Sequence, residues 1–169
     1  MRKIILFIAS SLDGYIAREN GNIDWLPENT PSGYDGFINS VDTVIMGKKT
    51  YNQVLTFGDY PYKEKKSYVL TLSNNNLKDK NVKFIHDAEK LVKDILSDTG
   101  TNIWLIGGAQ AISTFVNLGL VDEIILSIIP VILGKGIPLF ADIEKEVKLE
   151  LIKNTDYDTL VELHYKILK

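Results

Sequence analysis

Ile103-Trp104-Leu105-Ile106-Gly107-Gly108-Ala109-Gln110-Ala111-Ile112 carries an apolar block straight into two glycines and then into a helical pattern. The block is short and rich in β formers, which reads as a strand buried on both faces. Ala111, Ile112, Phe115 and Val116 then share one helical face, and Gly119 stops the helix. A helix that starts this close to a strand end offers unpaired N–H groups and a partial positive charge, and glycine lets a phosphate approach the backbone. The same glycines also suit a tight strand-to-helix turn for conformational reasons alone. No third glycine follows at the spacing of the Rossmann fingerprint.

Working outward, the same strand–helix alternation recurs on the N-terminal side. Residues 4–9 and 43–46 are apolar throughout and read as buried strands, the second closed by Gly47. Residues 67–72 predict a third strand and residues 82–85 a short fourth. Residues 10–32 read mostly as loop, because Asp13-Gly14 and Glu19-Asn20-Gly21-Asn22 are turn signals. Short helices are predicted over 34–40 and from Lys49 to about residue 55. Ala88, Leu91, Val92, Ile95 and Leu96 follow the i, i+3, i+4, i+7, i+8 spacing, with Asp87 as cap and Gly100 just beyond. Residues 123–129 form a sixth strand after the Gly-Gly unit. In the tail, Val147, Leu149 and Leu151 alternate with polar residues, as do Val161, Leu163, Tyr165 and Ile167. That is an antiparallel hairpin with one wet face, on which Glu162, His164 and Lys166 fall. The pattern predicts a single α/β domain over 1–169: a mixed, mainly parallel sheet, helices on both faces, and a C-terminal antiparallel hairpin.

Composition narrows the function. Nineteen Lys and Arg against 22 Asp and Glu give a net charge of −3, so there is no global basic field for nucleic acid. The chain has no cysteine, which excludes disulfide scaffolds, Cys-zinc sites and thiol catalysis. The apolar run at 4–9 is too short for a signal core, and 124–133 is half the length of a membrane helix, so a soluble, cytoplasmic protein without a membrane partner is expected.

A second strand-to-helix corner stands at Met46-Gly47-Lys48-Lys49-Thr50-Tyr51. Cations at a helix start oppose its dipole, a conflict that a bound anion removes; two solvated lysines are the simpler reading of these residues alone. Gly134-Lys135-Gly136 precedes Ile-Pro-Leu-Phe and reads as a flexible connection. His86 and His164 lack metal-ligand spacing, and no metal is expected. Neither a Gly-x-Ser-x-Gly elbow nor a Gly-x4-Gly-Lys-Ser loop occurs. Asp13, Asp24, Glu28 and Asp35 are loop acids that serve either as proton donors or as turn-formers.

Six segments in order resemble the dihydrofolate-reductase-like superfamily, in particular stand-alone relatives of the reductase domain of bifunctional riboflavin-biosynthesis proteins. They are Ile8-Ala9-Ser10-Ser11-Leu12-Asp13-Gly14-Tyr15-Ile16-Ala17, Val44-Ile45-Met46-Gly47-Lys48-Lys49-Thr50-Tyr51, Tyr68-Val69-Leu70-Thr71, Ile103-Trp104-Leu105-Ile106-Gly107-Gly108-Ala109, Asp122-Glu123-Ile124 and Pro130-Val131-Ile132-Leu133-Gly134-Lys135-Gly136-Ile137-Pro138-Leu139-Phe140. The resemblance implies NADPH as cofactor and hydride transfer to a small heterocycle or a ribosylaminopyrimidine-like compound. It puts Ala9 and Ile16 against the nicotinamide, and Gly47, Lys48, Lys49 and Thr50 at the adenine-side phosphates. Leu70, Thr71, Leu72 and Ser73 would border the adenosine, and Gly107, Gly108, Ala109, Gln110 and Ala111 would seat the pyrophosphate. Ser127 would face the substrate, with Arg18 the one nearby cation. Folate reductases carry an acid on the helix before the second strand. In the matching stretch, 30–39, Pro31 or a neighbour stands at that place and Asp35 follows about a turn later. Asp13, Asp35 or an ordered water is then the expected proton source.

The expectation is an NADPH-dependent reductase acting on a small molecule. The alternative is a nucleotide-binding or regulatory protein that keeps the cleft without turnover, and a third is a purely structural dimer module. Residues 123–129 are apolar at nearly every position, and the tail hairpin adds an apolar side. Together with the dimers of the branch it resembles, this predicts a homodimer.

Overall fold

The computed structural model describes residues 1–28, 33–73 and 77–169. Strand β1 (Ile4–Ser11) lies in the middle of an eight-stranded sheet, where Ile4, Ile5, Leu6 and Phe7 are each at most 9% exposed. A strand this deeply covered on both sides needs apolar residues at consecutive positions, which is what its sequence supplies.

The remaining elements follow as β2 (Tyr15–Ala17), α1 (Tyr34–Asn39), β3 (Val41–Gly47), α2 (Lys48–Thr56), β4 (Lys66–Leu70) and β5 (Lys83–Ile85). Then come α3 (Ala88–Ser97), β6 (Asn102–Gly107), α4 (Ala109–Asn117), β7 (Glu123–Ile129), β8 (Ile137–Pro138), β9 (Leu149–Asp156) and β10 (Val161–Ile167). The strand order is β5-β4-β3-β6-β1-β7-β10-β9. Every pairing from β5 to β7 is parallel, and β10 and β9 are antiparallel. The mixed, mainly parallel sheet read from the sequence is the observed one.

The two faces are separate cores. On one, Ile4, Leu6, Ile103, Leu105 and Ile124 meet Leu91, Val92 and Ile95 of α3 and Ile112, Phe115 and Val116 of α4. On the other, Ile5, Phe7, Val44, Met46, Val69 and Trp104 meet Phe37 of α1 and Tyr51 and Val54 of α2. Phe7 stacks on Phe37 with ring centroids 4.6 Å apart, and Trp104 Nε1 donates to the Phe7 carbonyl at 3.0 Å. Helix α3 matches its periodicity, and the Asp87 carboxylate caps it by accepting from Lys90 N at 2.9 Å.

Two readings gain detail. The described part of residues 10–32 is mostly loop, as expected, but it includes the end of β1 and β2, which pairs antiparallel with β8 in a small second sheet. Gly134-Lys135-Gly136 is a connection, and it is tied down: Gly134 N donates to the Asp13 carboxylate at 2.8 Å. It delivers β8 onto β2, and a side chain at Gly136 would run into the Ala17 carbonyl. Short strands of this kind leave no periodic signal; what holds them is contact with distant chain. Among the described residues, no helix is long and apolar enough to cross a membrane.

Candidate functional site

β3 and β6 run side by side, with Met46 opposite Gly107 at their carboxyl ends. From there the chain leaves to opposite faces: α2 covers one core and α4 the other. Adjacent parallel strands whose helices diverge in this way open a crevice beyond the strand ends, the topological switch point where α/β sheets bind ligands. Both glycine corners singled out in the sequence fall on it.

The crevice is shaped by its glycines. Gly107 has φ of 120°, a conformation that favours glycine. The Gly107–Gly108 peptide bond is cis. Gly108 has an ordinary φ of −67°, but a Cβ there would lie 3.1 Å from Thr50 Oγ1. At Gly47 a Cβ would touch the Ala111 side chain at 3.5 Å. Thr50 Oγ1 accepts a hydrogen bond from Gly108 N at 2.8 Å, so the two corners are clasped together. Neither α2 nor α4 has a side-chain cap at its start, which leaves their first N–H groups for a ligand anion. An anionic, phosphate-bearing group fits this donor set.

The flanks extend the crevice in both directions. Leu70 pairs with Gly47, which brings 70–73 alongside the first corner. There Thr71 is buried, Ser73 N donates to Thr71 Oγ1 at 3.1 Å, and Leu72 is 93% exposed. Lys48 Nζ lies 4.6 Å from the Tyr51 ring centre and 5.1 Å from that of Phe84, a cation held between aromatic rings; Lys49 is exposed. Burial, and then a 2.8 Å bond from its hydroxyl to Asp79, pushes the Tyr51 phenol up to about 12. On the other side, Ala9 pairs with Ser127, and Ile16 packs on the α3/α4 core. The expected cofactor and substrate residues at 9, 47–50, 70–73, 107–111 and 127 therefore lie toward the carboxyl ends of β4, β3, β6, β1 and β7, while Ile16 stands on β2 in the small second sheet.

Three expected residues do not join them in the same way. Asp13 is a clasp: it accepts from Ser11 Oγ at 2.6 Å, Gly134 N at 2.8 Å and Leu133 N at 3.1 Å. The Ser11 hydroxyl, with those backbone donors, holds its carboxyl below the usual range, so it carries no proton at neutral pH. Asp35 is exposed in the first turn of α1. Arg18 is exposed and bound by Asp24 through two hydrogen bonds, at 2.7 and 3.1 Å. Thr30 and Pro31, where the matching acid was sought, lie outside the described residues.

The sequence reading missed Glu162. It fell on the face of β10 expected to be wet, with His164 and Lys166. Lys166 is exposed as expected, but Glu162 and His164 are half-buried against other elements. His164 Nε2 lies 2.8 Å from Glu123 Oε2, and Glu162 is half-buried beside Ser127 and Gly33. The only signal available was that Glu162 shares a strand with core residues.

The sequence matches the RibD C-terminal domain family over residues 2–163. It is 42% identical to YwjB of Bacillus subtilis (strain 168) over 169 residues, covering 97% of each protein. A solved structure from Shewanella sp. PV-4, of a protein provisionally assigned to riboflavin biosynthesis, superposes with a TM-score of 0.86 at 30% identity, covering 99% of both chains. Dihydrofolate reductase from Enterococcus faecalis, complexed with NADP(H), has a TM-score of 0.72 at 18% identity, over 99% of this chain and 97% of that one, and shares the fold. With the sheet order, the two glycine corners and these likenesses in agreement, the chain belongs to the RibD C-terminal domain family, within the dihydrofolate-reductase-like fold.

Proposed function

We propose that the protein is an NADPH-dependent reductase of a small heterocycle, of the pterin, flavin or ribosylaminopyrimidine kind. The observation that carries this is the pair of clasped glycine corners at the switch point, with two uncapped helix starts facing one crevice. When bound, NADPH supplies a hydride from its nicotinamide ring. The chain's own part is geometric: N–H groups at 109–111 hold phosphate oxygens, and Gly47 and Gly108 leave room for them. The Ala9 backbone and Ile16 border the reactive ring and exclude water beside it. Asp35 or an ordered water delivers the accompanying proton, since Asp13 is held ionised in its clasp.

The exposure of Asp35 and the commitment of Asp13 favour a second reading, a protein that binds the nucleotide without turnover. NADPH oxidation across a panel of pterins, flavins and ribosylaminopyrimidines separates the two. Oxidation with any member supports the reductase; binding of NADPH with no oxidation across the panel supports the second reading.

Lys48, Lys49 and Ser73 border the place where the 2′-phosphate of NADPH would lie. The parent protein is expected to bind NADPH more tightly than NADH, by a margin that shrinks with salt because Lys49 is exposed. Replacing both lysines by Ala should narrow the margin; equal affinities in the parent would contradict the assignment.

We also infer a homodimer through the β9 end of the sheet. Leu149, Leu151 and Ile152 on that edge strand are 40%, 53% and 50% exposed. An edge strand with free backbone groups and exposed apolar side chains invites a partner. Light scattering should give twice the chain mass at micromolar concentration. A monomer there would reject the dimer.

A further inference from the structure

Ala9, Ser127 and Glu162 stand in one row across three neighbouring strands, since Ala9 pairs with Ser127 on β7 and Ser127 with Glu162 on β10. All three project to the face that carries Phe7 and Ile125, the α1/α2 side of the sheet. Two strand spacings separate Ala9 from Glu162, about 10 Å, with Ser127 between them, so a ligand reaching both would lie across Ser127.

Glu162 is a partly buried, poorly satisfied acid of this sheet. Among the described residues its carboxylate has two partners, Gly33 N and Ser127 Oγ, both at 3.4 Å. Hydrogen bonds to a carboxylate are normally shorter than this. The other partly buried acids show the contrast. Glu123 has Lys3 at 2.6 Å and His164 at 2.8 Å, and Asp79 has Asn81 N at 2.7 Å and Tyr51 at 2.8 Å. A half-buried carboxylate with two long bonds has lone pairs left for donors from outside the chain. Ser127 beside it is buried, and Tyr157, whose phenol is pushed up first by burial and then by the charge of Glu162, stands against Gly33.

We propose that Glu162 is the substrate-anchoring acid, accepting two hydrogen bonds from the N–H edge of an amidine-like heterocycle such as an aminopyrimidine. The proposal rests on the reductase reading for its use of the Ala9 end of the cleft. It adds a specificity: an N–H donor edge is held at Glu162, and an anionic group there is repelled.

The test is a titration of the full chain with 2,4-diaminopyrimidine and with unsubstituted pyrimidine, followed by NMR shifts, with NADPH affinity measured separately. The parent should bind the diamino compound at least tenfold more tightly. Glu162→Gln should weaken it about tenfold or more, the effect of losing a charge-assisted hydrogen bond, and leave NADPH affinity unchanged. Gly33→Ala is the second variant. Its Cβ would fall 2.8 Å from Glu162 Oε1, so the carboxylate must swing aside, and weaker diaminopyrimidine binding is expected with the charge retained. Equal affinity of the parent for the two pyrimidines would overturn the proposal, as would unchanged binding in Glu162→Gln, even with a lower melting temperature. Failure of NADPH to bind, with Glu162-dependent diaminopyrimidine binding intact, would reject the reductase reading and leave the anchor standing.

Discussion

Gly108→Val is expected to weaken NADPH binding by on the order of 1.5–3 kcal/mol, about 10- to 150-fold, while the protein still folds. The backbone at Gly108 has φ of −67°, which valine adopts without strain. The new Cβ would stand 3.1 Å from Thr50 Oγ1, and its two methyl groups would extend into the space between the corners. Phosphate oxygens could then no longer approach the first N–H groups of α4. The folding cost should stay near 1 kcal/mol, since the hydrogen bond from Gly108 N to Thr50 adjusts rather than disappears. Gly107→Ala is the contrasting variant. At φ of 120° its cost falls on folding, not on phosphate approach. Calorimetric titration with thermal melting separates the two. A well-folded Gly108→Val protein with parental NADPH affinity would remove the pyrophosphate from this corner.

Arg2→Leu should lower stability by about 3 kcal/mol, a larger loss than any surface substitution gives. The Arg2 guanidinium is 4% exposed. It donates to the Ile95 carbonyl at 2.8 Å, the Thr101 carbonyl at 2.7 Å and Thr43 Oγ1 at 2.8 Å, and it pairs with Asp42. These bonds tie the residue two before β1 to the end of α3, to β3 and to the residue just before β6. Leucine would leave the carbonyls unmet and Asp42 without its cation. The loss should depend on pH. Burial pushes the Asp42 carboxyl up, but Thr43, the Thr101 N–H and Arg2 together hold it below its usual value. A carboxyl depressed in the folded state stabilises the protein above its unfolded pKa, roughly 3.9, and that contribution fades as pH falls through the lower folded value. The gap between parent and Arg2→Leu should therefore be widest at neutral pH and narrow in acid, down to the part owed to the unmet carbonyls and lost packing. Denaturant melts at several pH values measure it; a gap independent of pH would mean that the lost packing and carbonyl contacts account for the whole effect.

What the sequence made legible, and what it did not, follows from the range of the interactions. β1, β3 and β6 were readable because covered parallel strands need unbroken apolar runs, and α3 because its buried face recurs at the helical period. Gly47 and Gly107-Gly108 were readable as corners, since each glycine sits where a strand runs directly into a helix. β2 and β8 were not: they span three and two residues, and Asp13 and Gly136 hold them through contacts more than a hundred positions apart. Glu162 illustrates the same limit within the site. Alternation along β10 tells which residues share a face, but only the pairing with β7 and the approach of Gly33 tell that this face is covered. Likewise Arg18 looked like a cation for the substrate until the turn brought Asp24 against it.

A calorimetric titration of the parent protein with NADPH tests the cofactor crevice most directly. Saturable binding of one NADPH per chain is expected, tighter than that of NADH and weakened by added salt. No detectable binding up to millimolar NADPH would contradict it, because the two clasped glycine corners would then be conformational features of the turn and nothing more.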